Sequence, residues 1–141
     1  MVSGGLTISP SLADELLGHA KAEVPNEACG LLSGDLASGL ATRYHPARNA
    51  ERSPYVYTVH PDDLLRIVLG IDDDGEDLVA IFHSHTHTPA IPSPTDRRQA
   101  RYPGVFYLLA SLTDPDAPPD VALRAWRITD GDSREVPLRI G

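Results

Sequence analysis

At 141 residues, with 41% hydrophobic and 23% charged side chains, the chain has the composition of a globular protein with room for a real core. A formal net charge of −8 argues against nucleic acid or an anionic membrane as partner, and no apolar run approaches the roughly eighteen residues needed to span a bilayer. The single cysteine, Cys29, excludes an internal disulfide, and Met1 to Pro10 lacks the basic-then-apolar pattern of a signal peptide, so one cytoplasmic domain over residues 1–141 is expected.

In chain order, Leu6 to Ser9 reads as a short strand. Ser11 is placed to cap a helix in which Leu12, Leu16, Leu17 and Ala20 recur at helical spacing towards Glu23, and Pro25 ends it. Asn26 and Glu27 fall in the turn beyond. Ala28 to Ser33 is small and apolar enough for a buried strand, closed by Gly34. Leu40 to Pro46 and Tyr55 to Val59 carry the β-branched and aromatic alternation of strands, with a turn-rich link from Ala47 to Pro54 between them. Pro61-Asp62-Asp63 opens a second helix with Leu64, Ile67, Val68 and Ile71 on its apolar face. The acidic run Asp72 to Asp77 lacks the spacing of an EF-hand and reads as a solvated loop.

Leu78 to Phe82 is a buried strand, Pro94 to Tyr102 a short helix, and Val105 to Leu112 a strand apolar on both faces. After the Pro-rich loop Asp114 to Asp120, Val121 to Thr129 and Glu135 to Ile140 read as two strands joined by a hairpin at Asp130-Gly131. Strands interleaved with helices in this way imply an α/β layered fold.

The chemistry concentrates between Leu78 and Asp96. Three of the six histidines, His83, His85 and His87, fall within five residues. On a strand, His83 and His85 project to one side and Ser84 to the other. Ser93-Pro94-Thr95-Asp96 has the form of a helix start, with Ser93 as the cap, and a helix there swings the Asp96 carboxylate back towards both imidazoles. Taken alone, Ser-x-x-Asp is an ordinary capping box. Two histidines and a carboxylate together suit a divalent metal, zinc above all, with one coordination position left open. Hydrolysis at such a centre also needs a carboxylate to move the proton of the attacking water, and Asp96 is already committed as a ligand. Glu27 is the candidate. By position alone it is an exposed turn residue. If the strand after it pairs beside the strand ending at His83, it lies next to the metal. Cys29, in an apolar strand, reads as inert burial rather than as a nucleophile.

Glu27, then His83-Ser84-His85, then seven residues, then Ser93-Pro94-Thr95-Asp96 resembles the complete signature of the JAMM (MPN-plus) metalloprotease family, Glu…His-x-His-x7-Ser-x-x-Asp. Pro25 to Leu32 and Asn49 to Pro54 also resemble the small bacterial members, in particular the actinobacterial hydrolases that free cysteine from a sulfur-carrier protein.

The resemblance implies a deaminase-like α/β/α sandwich with a mixed central sheet. It implies one zinc ion (Zn2+) per chain on His83, His85 and Asp96, with Glu27 as general base and Ser93 donating to the oxyanion. The implied substrate is a ubiquitin-like β-grasp sulfur-carrier protein, cut after its C-terminal Gly-Gly tail to release cysteine in cysteine biosynthesis. Three questions stay open at this level: an isopeptidase acting on another small modifier, a non-catalytic zinc-binding scaffold, and homodimerisation. A zinc nucleoside deaminase needs thiolates from a Pro-Cys-x-x-Cys segment, which a chain with one cysteine lacks. His87 lies outside the signature.

Overall fold

The apolar run at Leu78 forms β4 (Asp77–His85), which lies inside an eight-stranded sheet. The computed structural model describes residues 4–141; the first three residues of the stretch read above for a leader lie outside the described residues. On one side β4 pairs antiparallel with β2 (Cys29–Asp35), and on the other it pairs parallel with β5 (Phe106–Ser111). Occupied on both flanks and covered on both faces, β4 is buried from Val79 to His85.

The remaining strands are β1 (Leu6–Ile8), β3 (Leu40–Ala47), β6 (Leu123–Thr129), β7 (Asp132–Val136) and β8 (Leu138–Ile140), in the spatial order β7-β6-β5-β4-β2-β3-β1-β8. Pairing is parallel for β1–β3, β1–β8 and β4–β5 and antiparallel elsewhere, so the sheet is mixed.

Helices cover both faces. Helix α1 (Pro10–Ala22) buries Leu12, Ala13, Leu16, Leu17 and Ala20 against Leu32, Phe82 and Leu108 of one face. Helix α2 (Pro61–Asp73) sets Ile67 and Ile71 against Cys29 and Leu31 of the other. Ile81, Tyr107, Leu109 and Trp126 continue that second face towards α3 (Pro94–Gln99). A short α4 (Pro119–Ala122) falls within the expected loop and the start of the strand after it. None of these helices is long and apolar enough to cross a membrane.

The structure departs from the sequence reading in five further places. The cap of α1 is Ser9, whose hydroxyl accepts from the Leu12 amide at 3.0 Å; Pro10 takes the first helical position, where its missing N–H costs nothing. In α2, Val68 is exposed and Asp63 is buried, because the Asp63 carboxylate accepts the Arg48 amide (2.8 Å) and two guanidinium hydrogen bonds at 3.0 Å. Helix α3 ends at Gln99 rather than Tyr102. Tyr55 to Val59 is not a strand of the sheet: only an isolated bridge, Asn49 to Val59, is present. The backbone of that segment is bonded instead to the Asn49 side chain and the Ala50 amide.

The last departure is the final strand. Expected as one piece from Glu135 to Ile140, it splits at Pro137 into β7 and β8, which occupy opposite edges of the sheet. Consecutive Cα atoms are about 3.8 Å apart, so one residue crosses from edge to edge only because the sheet curls until its edges meet. The hairpin before β7 is as expected, with Asp130 at φ 53° and Gly131 at φ 82°, the paired positive values of a type I′ turn.

Gly30 keeps β2 close to its neighbours. A Cβ there would lie 2.5 Å from the Tyr44 ring and 2.6 Å from the His45 carbonyl oxygen, both on β3. The Tyr44 hydroxyl donates to the Cys29 carbonyl (3.2 Å) and its ring meets Phe82 of β4 edge-on. The start of β2 is thereby fixed against both neighbouring strands.

Candidate metal centre

Because β4 stays extended through His85, His83 and His85 share one face, as strand alternation requires. Both are buried, at 0% and 4% exposure. Their Nε2 atoms lie 3.3 Å apart, and both face a single oxygen, Asp96 Oδ2, at 3.1 and 2.9 Å. Asp96 reaches that point from the third position of α3. The capping box is present as well: Ser93 Oγ accepts the Asp96 amide (3.0 Å) and Asp96 Oδ2 accepts the Ser93 amide (2.9 Å). The cap and the cluster are thus one arrangement, the first orienting the carboxylate for the second.

The donor set fits a cation. His85 Nδ1 is 2.8 Å from the Pro89 carbonyl oxygen, which can only accept, so Nδ1 carries the proton. In the neutral ring Nε2 then holds a lone pair, aimed at a carboxylate oxygen and at a second imidazole. Such a convergence of acceptors is favourable only around a shared positive charge. The three side chains offer ligand atoms within 4.8 Å of one another. Without a cation between them the imidazoles meet Asp96 only by taking up protons: burial raises the Asp96 carboxyl, but hydrogen bonds from the protonated rings of His83 and His85 outweigh it and hold the group well below the usual carboxylate range. Burial depresses His83, whereas at His85 the hydrogen bonds to Asp96 and Pro89 outweigh burial and raise it.

The pairing on which the reading of Glu27 depended is present. Cys29 sits opposite His83 in the antiparallel β2–β4 pair and Ala28 is bonded to Ser84, so the chain brings Glu27 towards His85 and Asp96, whose charges act on its carboxyl. Glu27 is 3% exposed, in contrast to the exposed turn residue that position alone suggests, and its Oε1 is buried without a hydrogen-bond partner. Burial pushes its carboxyl up to about 8, with His85 lowering it and Asp96 raising it. A carboxyl that holds its proton near neutrality is suited to taking up and returning one.

Cys29 is fully buried, and its thiol donates to the Arg48 and Ala47 carbonyls at 3.5 and 3.9 Å. Burial pushes that thiol up to about 12, far from the thiolate a nucleophile needs. Cys29→Ser and Cys29→Ala are therefore expected to keep hydrolysis largely intact, with only a packing loss in thermal unfolding. Inactivation of the folded protein by a thiol reagent, prevented by either substitution, would contradict this. His87 is exposed on the loop after β4, bonded to Thr86 Oγ1, and takes no part in the cluster.

Three residues that sequence reasoning gave no role frame the site. Tyr57 stacks on the His83 ring, with centroids 4.3 Å apart and planes 19° from parallel. Ser84 Oγ accepts the Ala28 amide at 2.8 Å. Asn49 is 7% exposed and donates to the Glu27 carbonyl at 3.1 Å. An asparagine in a turn-rich link and a serine between two histidines carry no periodic signal. Tyr57 was hidden by the strand-like pattern around it.

The family described as prokaryotic homologs of the JAB domain (Prok-JAB) matches residues 9–129. The chain is 38% identical over 135 residues to the CysO-cysteine peptidase of Mycobacterium tuberculosis, covering 96% of this chain and 90% of that one. It is 32% identical over 145 residues to the desampylase of Haloferax volcanii, covering 99% of each. A Desulfitobacterium hafniense protein solved in solution superposes with a TM-score of 0.85 at 32% identity, over 96% of this chain and 92% of that one.

Proposed function

Because the chain belongs to the family of prokaryotic homologs of the JAB domain, we propose that it is a zinc-dependent peptidase that cuts after the C-terminal Gly-Gly tail of a ubiquitin-like sulfur-carrier protein, releasing cysteine. The observation that carries this reading is the convergence of His83, His85 and Asp96 beside the buried carboxyl of Glu27. The likeness to a CysO-cysteine peptidase over 96% of the chain supports the substrate class. The likeness to a desampylase over the full length of both chains supports a second reading, isopeptidase action on another small modifier.

The family is typically zinc-dependent, and His83 Nε2, His85 Nε2 and Asp96 Oδ2 would hold one ion. When bound, zinc supplies Lewis-acid polarisation of the carbonyl and makes water acidic enough to be deprotonated near neutral pH.

The protein's own groups do the rest. Glu27 accepts a proton from the attacking water as the water oxygen bonds to the carbonyl carbon of the last glycine of the Gly-Gly tail. It returns that proton to the amide nitrogen as the C–N bond breaks, so the amine leaves neutral and the carboxylate is restored. Ser93 Oγ accepts the Asp96 amide, and its own O–H proton donates to the carbonyl oxygen as charge builds there. His85 keeps its ring oriented through Nδ1–H to Pro89, as a ligand imidazole requires.

The test incubates zinc-loaded protein with a carrier–cysteine adduct and weighs both products. The expected result is a carrier ending in free Gly-Gly, shorter by one cysteine. An intact adduct alongside cleavage of a carrier–lysine isopeptide would favour the second reading, and no cleavage of either would defeat both.

A further inference from the structure

Residues 27 and 28 have every backbone polar group tied down. The Glu27 amide donates to the Ser53 carbonyl (2.8 Å) and the Glu27 carbonyl accepts from Asn49 Nδ2 (3.1 Å). The Ala28 amide donates to Ser84 Oγ (2.8 Å) and the Ala28 carbonyl accepts from the Ser84 amide (3.0 Å). The Glu27 carboxyl itself is different: its Oε1 is buried with no partner. Its place is therefore set from the main chain, and no hydrogen bond to Oε1 helps.

Asn49 is the side chain on which that arrangement turns. Its amide group uses all of its hydrogen-bonding capacity. Nδ2 donates to the Glu27 and Val56 carbonyls, both at 3.1 Å, and Oδ1 accepts the Glu51 and Thr58 amides at 3.0 and 3.1 Å. Two carbonyls on one side and two amides on the other leave the orientation of the group unambiguous. Val56 and Thr58 flank Tyr57, whose ring stacks on His83. One buried amide thus ties the backbone of Glu27 to the segment that packs on a metal-ligand candidate.

We propose that Asn49 is the positioning residue for the proton carrier: through the Glu27 carbonyl and the loop it closes, it holds the Glu27 carboxylate where the reacting water must be. The proposal rests on the reading of Glu27 as that carrier. Asn49 does not meet the reacting atoms itself; it acts on rate by fixing the group that does. Misplacing a catalytic group by about 1 Å can cost about 100-fold in rate.

The test is a pair of cycles, Asn49→Ala and Asn49→Asp, each made in the wild-type and in the Glu27→Gln chain. Asn49→Asp can keep the two bonds accepted from Glu51 and Thr58 and loses the two donated to Glu27 and Val56, where a carboxylate oxygen would instead face two carbonyls, so the tether goes while the accepting half of the loop contacts can stay. Zinc content and single-turnover cleavage of a carrier–cysteine adduct are read on each preparation. In the wild-type background both variants are expected to keep their zinc and to lose about 10-fold to 100-fold in turnover, with KM little changed. In the Glu27→Gln background the same substitutions are expected to cost less than about twofold, because no proton carrier remains to be misplaced. A residue that merely holds the loop together would cost the same in both backgrounds, and that result overturns the proposal. Loss of zinc from Asn49→Asp also overturns it, by placing the effect on the ligands. Undiminished turnover in Glu27→Gln alone overturns this proposal together with the mechanism beneath it.

Discussion

Glu27→Gln is expected to bind one zinc per chain and to bind substrate as the wild type does, while turnover falls by about 100-fold to 10,000-fold, the range for losing general acid–base catalysis. Glutamine preserves the size of the side chain and removes only its capacity to take a proton. The fold survives because the main chain of residues 27 and 28, not the carboxyl, makes the local hydrogen bonds. Near-wild-type turnover would refute the role, and departure of zinc with the substitution would make Glu27 a ligand.

A second readout follows from the metal-free protein. There the folded-state value of Glu27, about 8, lies above its ordinary 4.5. The stability owed to that shift is complete below about pH 4.5 and is lost as pH rises through about 8. Gln needs no proton, so metal-free Glu27→Gln is expected to melt above the metal-free wild type at pH 8 and to lack this component of the pH slope.

Removing a ligand is expected to have the other large effect. His83→Ala, His85→Ala and Asp96→Ala should each lower bound zinc from one per chain to background in metal analysis, and hydrolysis should fall to background with it. Asp96→Ala has a further consequence, because the same Oδ2 that faces both imidazoles accepts the Ser93 amide. It removes half of a capping box, a loss of about 1 kcal/mol that the two histidine variants do not share. Undiminished zinc in all three variants would dispose of the site.

Much of this site is legible in the sequence, and the reason is local. Strand alternation alone puts His83 and His85 on one face, and the signature of a helix start alone turns Asp96 back towards them. Glu27 was legible only as a candidate, strengthened by the family signature, since what buries it is non-local: the pairing of β2 with β4 and the link carrying Asn49 and Ser53. The same non-locality explains the errors. Tyr55 to Val59 has the alternation of a strand, but its backbone is bonded to the Asn49 and Ser53 side chains and the Ala50 amide rather than to a strand of the sheet. Glu135 to Ile140 has strand character throughout, and nothing local says that its halves belong to opposite edges. Ser11 and Ser9 are equally good caps by type, and Pro10 between them decides in favour of Ser9.

The chain carries one tryptophan. Its indole N–H donates to the Ala90 carbonyl at 2.9 Å, and Ala90 lies in the link between His85 and Ser93. Nature has thus placed the only indole fluorophore against the segment that joins the two halves of the metal cluster. Tyr107 lies opposite Trp126 on the neighbouring strand. If metal binding shifts that segment, the hydrogen bond is disturbed and Trp126 emission is expected to change as zinc is titrated into the metal-free protein; a spectrum that stays the same would contradict this.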